Sequence, residues 1–285
     1  MSTGADTIME APPAITAAPV CPSCHAPFAG AFCSVCGEKQ RSAHDLTLGH
    51  FIEESVEGFT HFDNKFIRSF KTLFTRPGLM TTHFEEGVRV PYMKPVQLFF
   101  VSNLLFFVLS GGMNVFAISL KNYTGYTKIA ALLQQRFTKE QLATVQVAFN
   151  EKVLAQSKAF IFLFIPFIAL ACALLFYRKR KPFTLHLVFA AHYFTFVLLE
   201  FTLFYLLVET PSNLFFHFSE DVFEIIAVAT NLSALSVYFI LAARRYYKAK
   251  WIWSIIAGLL IGALFMQLLI GYRLFLFYKI FYSLH

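Results

Sequence analysis

The feature that most constrains this chain is a series of long stretches almost empty of charge. They run over residues 95–120, 159–177, 182–208 with the single acid Glu200, 225–243 and 251–272. Each can supply the roughly 20 apolar residues that cross about 30 Å of hydrocarbon. Lipid offers a backbone no hydrogen-bond partner, so a spanning segment must satisfy its own N–H and C=O groups, as a helix or in a closed barrel. These Leu/Ile/Phe/Ala runs lack the short alternating segments of a barrel. The expected fold is an all-α integral membrane helical bundle of about five transmembrane helices over residues 95–285, preceded by a small N-terminal module. Of the 285 residues 57% are hydrophobic and 14% charged, where soluble domains carry about 25% charged residues. Met1 to Val20 has no Lys or Arg and no apolar core, so residues 1–20 read as a disordered lead-in and no cleaved signal is expected.

Lys and Arg in the short connections set the expected orientation. Arg178, Lys179, Arg180 and Lys181 lie between the second and third stretches, and Arg244, Arg245, Lys248 and Lys250 between the fourth and fifth. Between the third and fourth there is no Lys or Arg, and Glu209, Glu220 and Asp221 are acidic. By the positive-inside rule the two basic connections face the cytosol, with the N-terminus inside and the C-terminus outside. Tyr246, Tyr247, Trp251 and Trp253 read as an aromatic belt at that boundary. The net charge of +7 is largely absorbed by these topology signals, so the lipid bilayer is the expected partner and nucleic acid is not.

Cys21-Pro22-Ser23-Cys24 and Cys33-Ser34-Val35-Cys36 form two CxxC pairs. Two such knuckles turn four sulfurs toward one point, the arrangement of a structural Zn²⁺ site, and residues 21–40 are read as a zinc ribbon. A disulfide, iron, redox or empty site are the competing readings; a cytosolic location favours thiols and metal. Four thiolates close the coordination sphere, so this zinc would hold the fold and not catalyse. Cys172, inside the second stretch, reads as a small packing residue.

Residues 44–94 are expected to form amphipathic juxtamembrane helices. Leu48, Phe51, Ile52, Val56, Phe59, Phe62, Phe66, Phe70 and Leu73 recur at helical spacing, with Lys65, Arg68, Lys71 and Arg76 interleaved. Such a helix either lies along the anionic leaflet or packs on the ends of the bundle. Arg76-Pro77-Gly78 should end it, and a short helix from Leu79 to Glu86 should stop at Gly87. In the 121–158 connection, Thr138 and Gln141 form a capping box for a helix carrying Leu142, Val145, Phe149 and Val153.

Taken in order, the four-cysteine ribbon, the Phe-rich helix, Arg76-Pro77-Gly78, Glu86-Gly87-Val88-Arg89 with Tyr92 and Pro95, and the run from His186 to His192 resemble a bacterial membrane family. That family is catalogued as domain of unknown function 3667, and the resemblance covers roughly residues 21–200. Val88 stands where the family pattern usually has Lys, and Leu185 where it often has an acid. The resemblance implies this architecture and a bacterial inner membrane, and no activity.

Ionisable side chains within spans are candidate functional sites. His186, Tyr193 and Glu200 fall within about 40° on one helix face, with His192 about 120° away. The spacing does not supply a zincin motif, and no nucleophile elbow, phosphate loop or paired-carboxylate site is present. No catalytic or cofactor-binding residue is therefore expected. The favoured functional expectation is a membrane-anchored interaction or scaffold protein presenting its ribbon to a cytosolic or membrane protein. The alternative is a transporter, channel or intramembrane enzyme built on His186, His192, Tyr193 and Glu200, drawing also on Asn103, Asn231, Gln267 and Arg273.

Overall fold

The computed structural model describes residues 19–27, 30–40, 47–49, 65–110, 115–123, 125, 127–157, 160–215 and 220–284. The lead-in to residue 18, and Phe51, Ile52, Val56, Phe59 and Phe62 of the first amphipathic stretch, lie outside them. Among the described residues the chain is helical apart from two isolated bridges in the cysteine module.

The helices, in chain order, are α1 (Lys65–Thr75), α2 (Leu79–Glu86), α3 (Pro95–Leu109), α4 (Leu120–Tyr123), α5 (Thr127–Arg136), α6 (Lys139–Gln156), α7 (Phe164–Leu175), α8 (Phe183–Phe204), α9 (Thr210–Phe215), α10 (Glu220–Tyr247) and α11 (Trp251–Phe281). Several ends follow local chemistry read from the sequence. Pro95 opens α3, where its missing N–H costs nothing, and the Gln97 carboxamide accepts from the Lys94 N–H at 3.3 Å. The expected capping box starts α6: the Gln141 N–H donates to Thr138 Oγ1 at 3.3 Å, and the Thr138 N–H to Gln141 Oε1 at 3.0 Å. Helix α2 stops at Gly87, and the following Val88 N–H reaches back to the His83 carbonyl at 2.8 Å.

Three helical segments are long and apolar enough to cross a membrane: Phe183–Ser212, Phe223–Tyr247 and Trp251–Phe281. The expected first span is represented by α3, only 15 residues long. The expected second span is a 3₁₀ turn, Ile161–Leu163, followed by the 12-residue α7. Taken with α6, from which it is bent by 58°, it makes a possible fourth crossing. Charge-free length overstated the helices because a 3₁₀ turn takes up Ile161–Leu163 at the start of the second stretch, while α3 stops at Leu109.

Helix α8 is the axis of the fold. It is buried on every face over most of its length, with α3 and α7 along it and the α1–α2 hairpin and α10 on its remaining sides. Phe164 of α7 stacks on Phe194, and Phe196 stacks on Tyr238 of α10 at 3.7 Å. Helices α10 and α11 pack as an antiparallel pair in which Gly258 and Gly262 admit Ile240 and Ser236. A Cβ on Gly258 would lie 2.5 Å from Ile240 Cγ1, and one on Gly262 2.9 Å from Ser236 Oγ.

The α1–α2 hairpin does not rest on the ends of the bundle but reaches down along it. Phe74 of α1 meets Phe196, thirteen residues into α8, with ring centroids 5.3 Å apart. Ser69, Thr72 and Leu73 are buried, whereas Lys65, Arg68, Lys71 and Arg76 are exposed. Within the described part of that stretch, Leu73 is buried and Phe70 packs against the core. Arg245 clamps the turn by donating to the Pro77 carbonyl at 2.7 Å. Trp251 and Trp253 remain exposed, with Arg244 3.8 Å above the Trp251 ring, as an interfacial belt requires. Tyr246 and Tyr247 correct the expectation. Both are buried, Tyr247 stacked on Phe176 at 4.0 Å and Tyr246 against Phe189.

Gly78 forms the hairpin turn with φ +79°, and a Cβ there would meet the Ala242 carbonyl oxygen at 2.5 Å. Gly78→Ala adds left-handed strain to a backbone clash, and about 2–4 kcal/mol of destabilisation is expected. Gly271, with nothing within 4 Å of its Cβ position, is the control, and Gly271→Ala should be neutral or slightly stabilising. Thermal unfolding of the two detergent-solubilised variants against wild type measures the difference.

Candidate functional site

The cysteine module is built from two copies of one turn. In the first, the Cys21 N–H donates to the Ala26 carbonyl and the His25 N–H to that of Cys21, both at 2.9 Å. In the second, the Cys33 N–H donates to the Glu38 carbonyl and the Gly37 N–H to that of Cys33, both at 2.8 Å. His25 (φ 61°) and Gly37 (φ 75°) occupy the same left-handed position. The bridges Val20↔Pro27 and Phe32↔Lys39 close the two turns.

This construction brings the four predicted sulfurs together. They all lie within 4.8 Å of one another, with Cys21 Sγ 3.5 Å from Cys36 Sγ and Cys24 Sγ 3.6 Å from Cys33 Sγ. Those separations are far longer than the roughly 2.05 Å of a disulfide, and all four are free thiols. A tetrahedral ion with metal–sulfur bonds of about 2.3 Å would hold its sulfurs about 3.8 Å apart, so the cluster fits such an ion. The N–H groups of Cys36 and Val35 bring the Cys33 thiol down to about 7. At Cys36 the Glu38 N–H acts the same way, but desolvation and the neighbouring sulfurs prevail and push the thiol up to about 12. Crowded sulfurs that resist carrying charge together are what a cation between them relieves. Among the described residues, the cluster could hold a metal ion.

The module is locked to the rest of the chain by Glu38, which sequence reasoning did not single out. Its side chain is 2% exposed. Oε2 accepts from the Arg89 and Val90 N–H groups, both at 3.0 Å, and from the Ser23 hydroxyl of the first turn. One carboxylate therefore ties both halves of the module to the loop after α2. Nothing in the sequence distinguishes it from a surface acid beyond its place one residue after Gly37.

Of the span-three residues, His186 and His192 are each brought to a partner on another helix. His192 Nδ1 lies 2.9 Å from Thr81 Oγ1 of α2, and His186 Nδ1 lies 2.8 Å from the Tyr247 hydroxyl of α10. The Tyr193 hydroxyl and Glu200 Oε2 are buried with no hydrogen-bond partner among the described residues. A second cross-link at the same end joins Lys181 to Glu85 of α2 at 2.6 Å, with the ammonium 4.6 Å from the Tyr246 ring. Lys181 thus holds α2 in place.

Residues 63–107 match the family model described as Protein of unknown function (DUF3667). The match covers α1, α2 and most of α3, the hairpin and its lead into the bundle, and is narrower than the resemblance read from the motifs. No curated protein and no solved structure matches the chain.

Among the described residues, two cavities that open on the bundle stand out. The larger, about 430 Å³, lies between the end of α8 and helices α10 and α11, with Phe204, Leu235, Phe265 and Leu269 in its walls. Glu209, Glu224, Asn231 and Arg273 are its polar groups. The smaller, about 330 Å³, is an apolar groove between α7 and α11 that includes Gln267. Neither is lined by His186, His192, Tyr193 or Glu200. Of the polar residues considered for an intramembrane path, Asn231 and Arg273 share a cavity.

Two tests follow from these contacts. Glu38→Ala removes a charged acceptor from three donors, and a loss of about 1–3 kcal/mol in docking is expected. Hydrogen exchange should rise at the amides of Arg89 and Val90 while the metal content of the module is unchanged. Thr81→Val leaves His192 Nδ1 buried without its partner and should cost about 1–3 kcal/mol, whereas Thr81→Val with His192→Leu should recover part of that loss. Thermal unfolding of the two variants is the readout.

Proposed function

We propose that this chain is a multi-pass protein of a bacterial cytoplasmic membrane, with its N-terminus in the cytosol and its C-terminus outside. Its ribbon holds structural zinc and serves as an interaction module for a cytosolic or membrane protein. Four thiolates in a reducing compartment are a soft, closed ligand set suited to Zn²⁺. The basic connections beside Trp251 and Trp253 support the orientation.

One observation carries the interaction reading. The ribbon is fixed by Glu38 and yet turns large apolar side chains outward: Phe32 is 62% and Val35 69% exposed, and Val20, the counterpart of Phe32 in the repeated turn, 61%. A module of about twenty residues has no core to spare these groups from, and exposed apolar anchors on a rigid frame are what a protein partner buries. A closed metal site offers no coordination position to a substrate, which favours binding over catalysis. The alternative centred on span three draws less support, since the Nδ1 atoms of His186 and His192 are each engaged by a neighbouring helix.

The experiment is photo-crosslinking from position 39 in intact membranes, comparing wild type with Phe32→Glu, Val35→Glu. The expected result is a defined protein adduct that falls about tenfold or more in the variant, with about one zinc per chain and unchanged membrane levels in both. An adduct that survives the substitutions overturns the interaction reading, and purified protein carrying iron or no metal overturns the zinc assignment.

A further inference from the structure

The connections that join α7 to α8 and α10 to α11 meet at one end of the bundle. After α7 the chain makes a 3₁₀ turn, Tyr177–Lys179, on its way to α8. After α10 it needs only Lys248, Ala249 and Lys250 to reach α11. Two contacts hold the connections side by side. Lys179 Nζ donates to the Lys248 carbonyl at 3.3 Å, and Trp253 Nε1 donates to the Leu175 carbonyl at 3.2 Å. Arg178 and Arg180 flank Lys179, and Lys250 lies two residues beyond Lys248, so the charges of both connections gather at this seam.

Among the described residues no carboxylate neutralises them. Arg178, Lys179, Arg180, Lys248 and Lys250 are exposed, and Glu85, at the same end, is taken by Lys181. A patch of one sign repels itself and draws in an anion. The backbone shows that the charge is placed at a cost. Arg180 (φ 49°) and Lys248 (φ 48°) are both left-handed, a conformation that glycine adopts freely and residues with a Cβ do not. Each connection thus carries a cation where glycine would fit with less strain.

Below the charges the surface is apolar. Leu170 and Leu174 on α7 and Ile252 and Ile256 on α11, four residues apart on each helix, are exposed. Trp251 and Trp253, also exposed, mark the level at which headgroups give way to hydrocarbon. What complements both parts is an amphiphile, negative at the connections and apolar along the helices. A free phosphate or an acidic peptide would leave the apolar surface bare.

We infer that the two connections form a binding site for the headgroup of an anionic phospholipid. Arg180 and Lys248, with Arg178 and Lys250, hold its phosphate, and its chains lie along α7 and α11. The inference rests on the reading of this chain as a membrane protein, and not on which side of the membrane the connections face.

The test is native mass spectrometry of the full-length protein, released from detergent after equilibration with phosphatidylglycerol or phosphatidylethanolamine of matched chains. Phosphatidylglycerol should be retained about tenfold over phosphatidylethanolamine, whose ammonium cancels the phosphate charge. Arg180→Gly, Lys248→Gly removes two charges and relieves the left-handed strain. That variant should unfold at or above the wild-type temperature in lipid-free detergent and yet lose the preference. Arg178→Gln, Lys250→Gln leaves the backbone as it is and should weaken the preference in the same direction. Lys65→Gln, Arg68→Gln takes two charges from the exposed face of α1 and should leave the preference in place. Equal retention of the two lipids by wild type overturns the proposal. So does a preference that survives both seam variants, or one that falls equally in the α1 variant. Displacement of the lipid by inorganic phosphate at matched ionic strength would assign the site to a soluble anion and overturns it as well. Protein that stays folded and monodisperse without detergent would instead overturn the membrane reading, and the proposal with it.

Discussion

Helix α8 has almost no surface of its own to offer to lipid, and the rest of the molecule is arranged around that burial. An apolar helix in hydrocarbon gains little from being covered, because lipid tails are as apolar as its neighbours. Some of its polar groups are satisfied within the helix, and what its neighbours add is partners for the two histidines. Thr195 and Thr202 turn their hydroxyls back to the Ala191 and Leu198 carbonyls at 2.8 Å, while His186 and His192 look outward to Tyr247 and Thr81. Each imidazole contact comes from a different element, so α8 fixes the positions of α10 and α2 at once. Close ring packing among Phe164, Phe194, Phe196 and Tyr238 fills the space between those polar contacts.

From α8 the constraint passes outward to the cysteine module. Thr81 and Glu85 anchor α2 to the bundle through His192 and Lys181. The end of α2 sets the loop whose Arg89 and Val90 amides bind Glu38. Glu38 in turn lies two residues after Cys36, so its aim depends on the second knuckle being closed. A metal ion in the cluster would therefore stabilise more than twenty residues of ribbon: it would hold the carboxylate that joins the ribbon to the hairpin. Binding energy spent on folding the module is, through Glu38, also spent on orienting it.

How much of this was legible in the sequence depends on the range of the interaction. Local chemistry read well. The paired CxxC spacing brought Cys21, Cys24, Cys33 and Cys36 together, Thr138 and Gln141 capped α6, and α2 ran from Leu79 to Glu86, each set by residues a few positions apart. The number of crossings did not read as well, because absence of charge records solubility in lipid and not helical continuity. The 3₁₀ turn before α7 and the early end of α3 shorten two of the expected spans without adding a charge. Long-range polar pairs were invisible. Glu38 and Arg89 are 51 positions apart and Thr81 and His192 are 111 apart, and a buried acid carries no mark that separates it from a surface one. The spacing of Gly258 and Gly262 did hold a signal, the small-residue repeat of close helix pairs, which a reading by hydropathy passes over.

The same distinction explains why polar residues on one helix face did not make one site. Helical periodicity places His186, Tyr193 and Glu200 along a stripe, but a stripe 14 residues long spans about 21 Å, and different neighbours meet it at each level. At the basic end those neighbours are α10 and the hairpin, both carrying side chains that reach His186 and His192. At the opposite end α10 and α11 diverge from α8 instead of closing on it, leaving a cleft whose polar groups come mainly from those two helices, joined by Glu209. Where the hairpin wedges between helices, the interior is sealed by protein. Among the described residues no such element closes the opposite end, and the cavity persists.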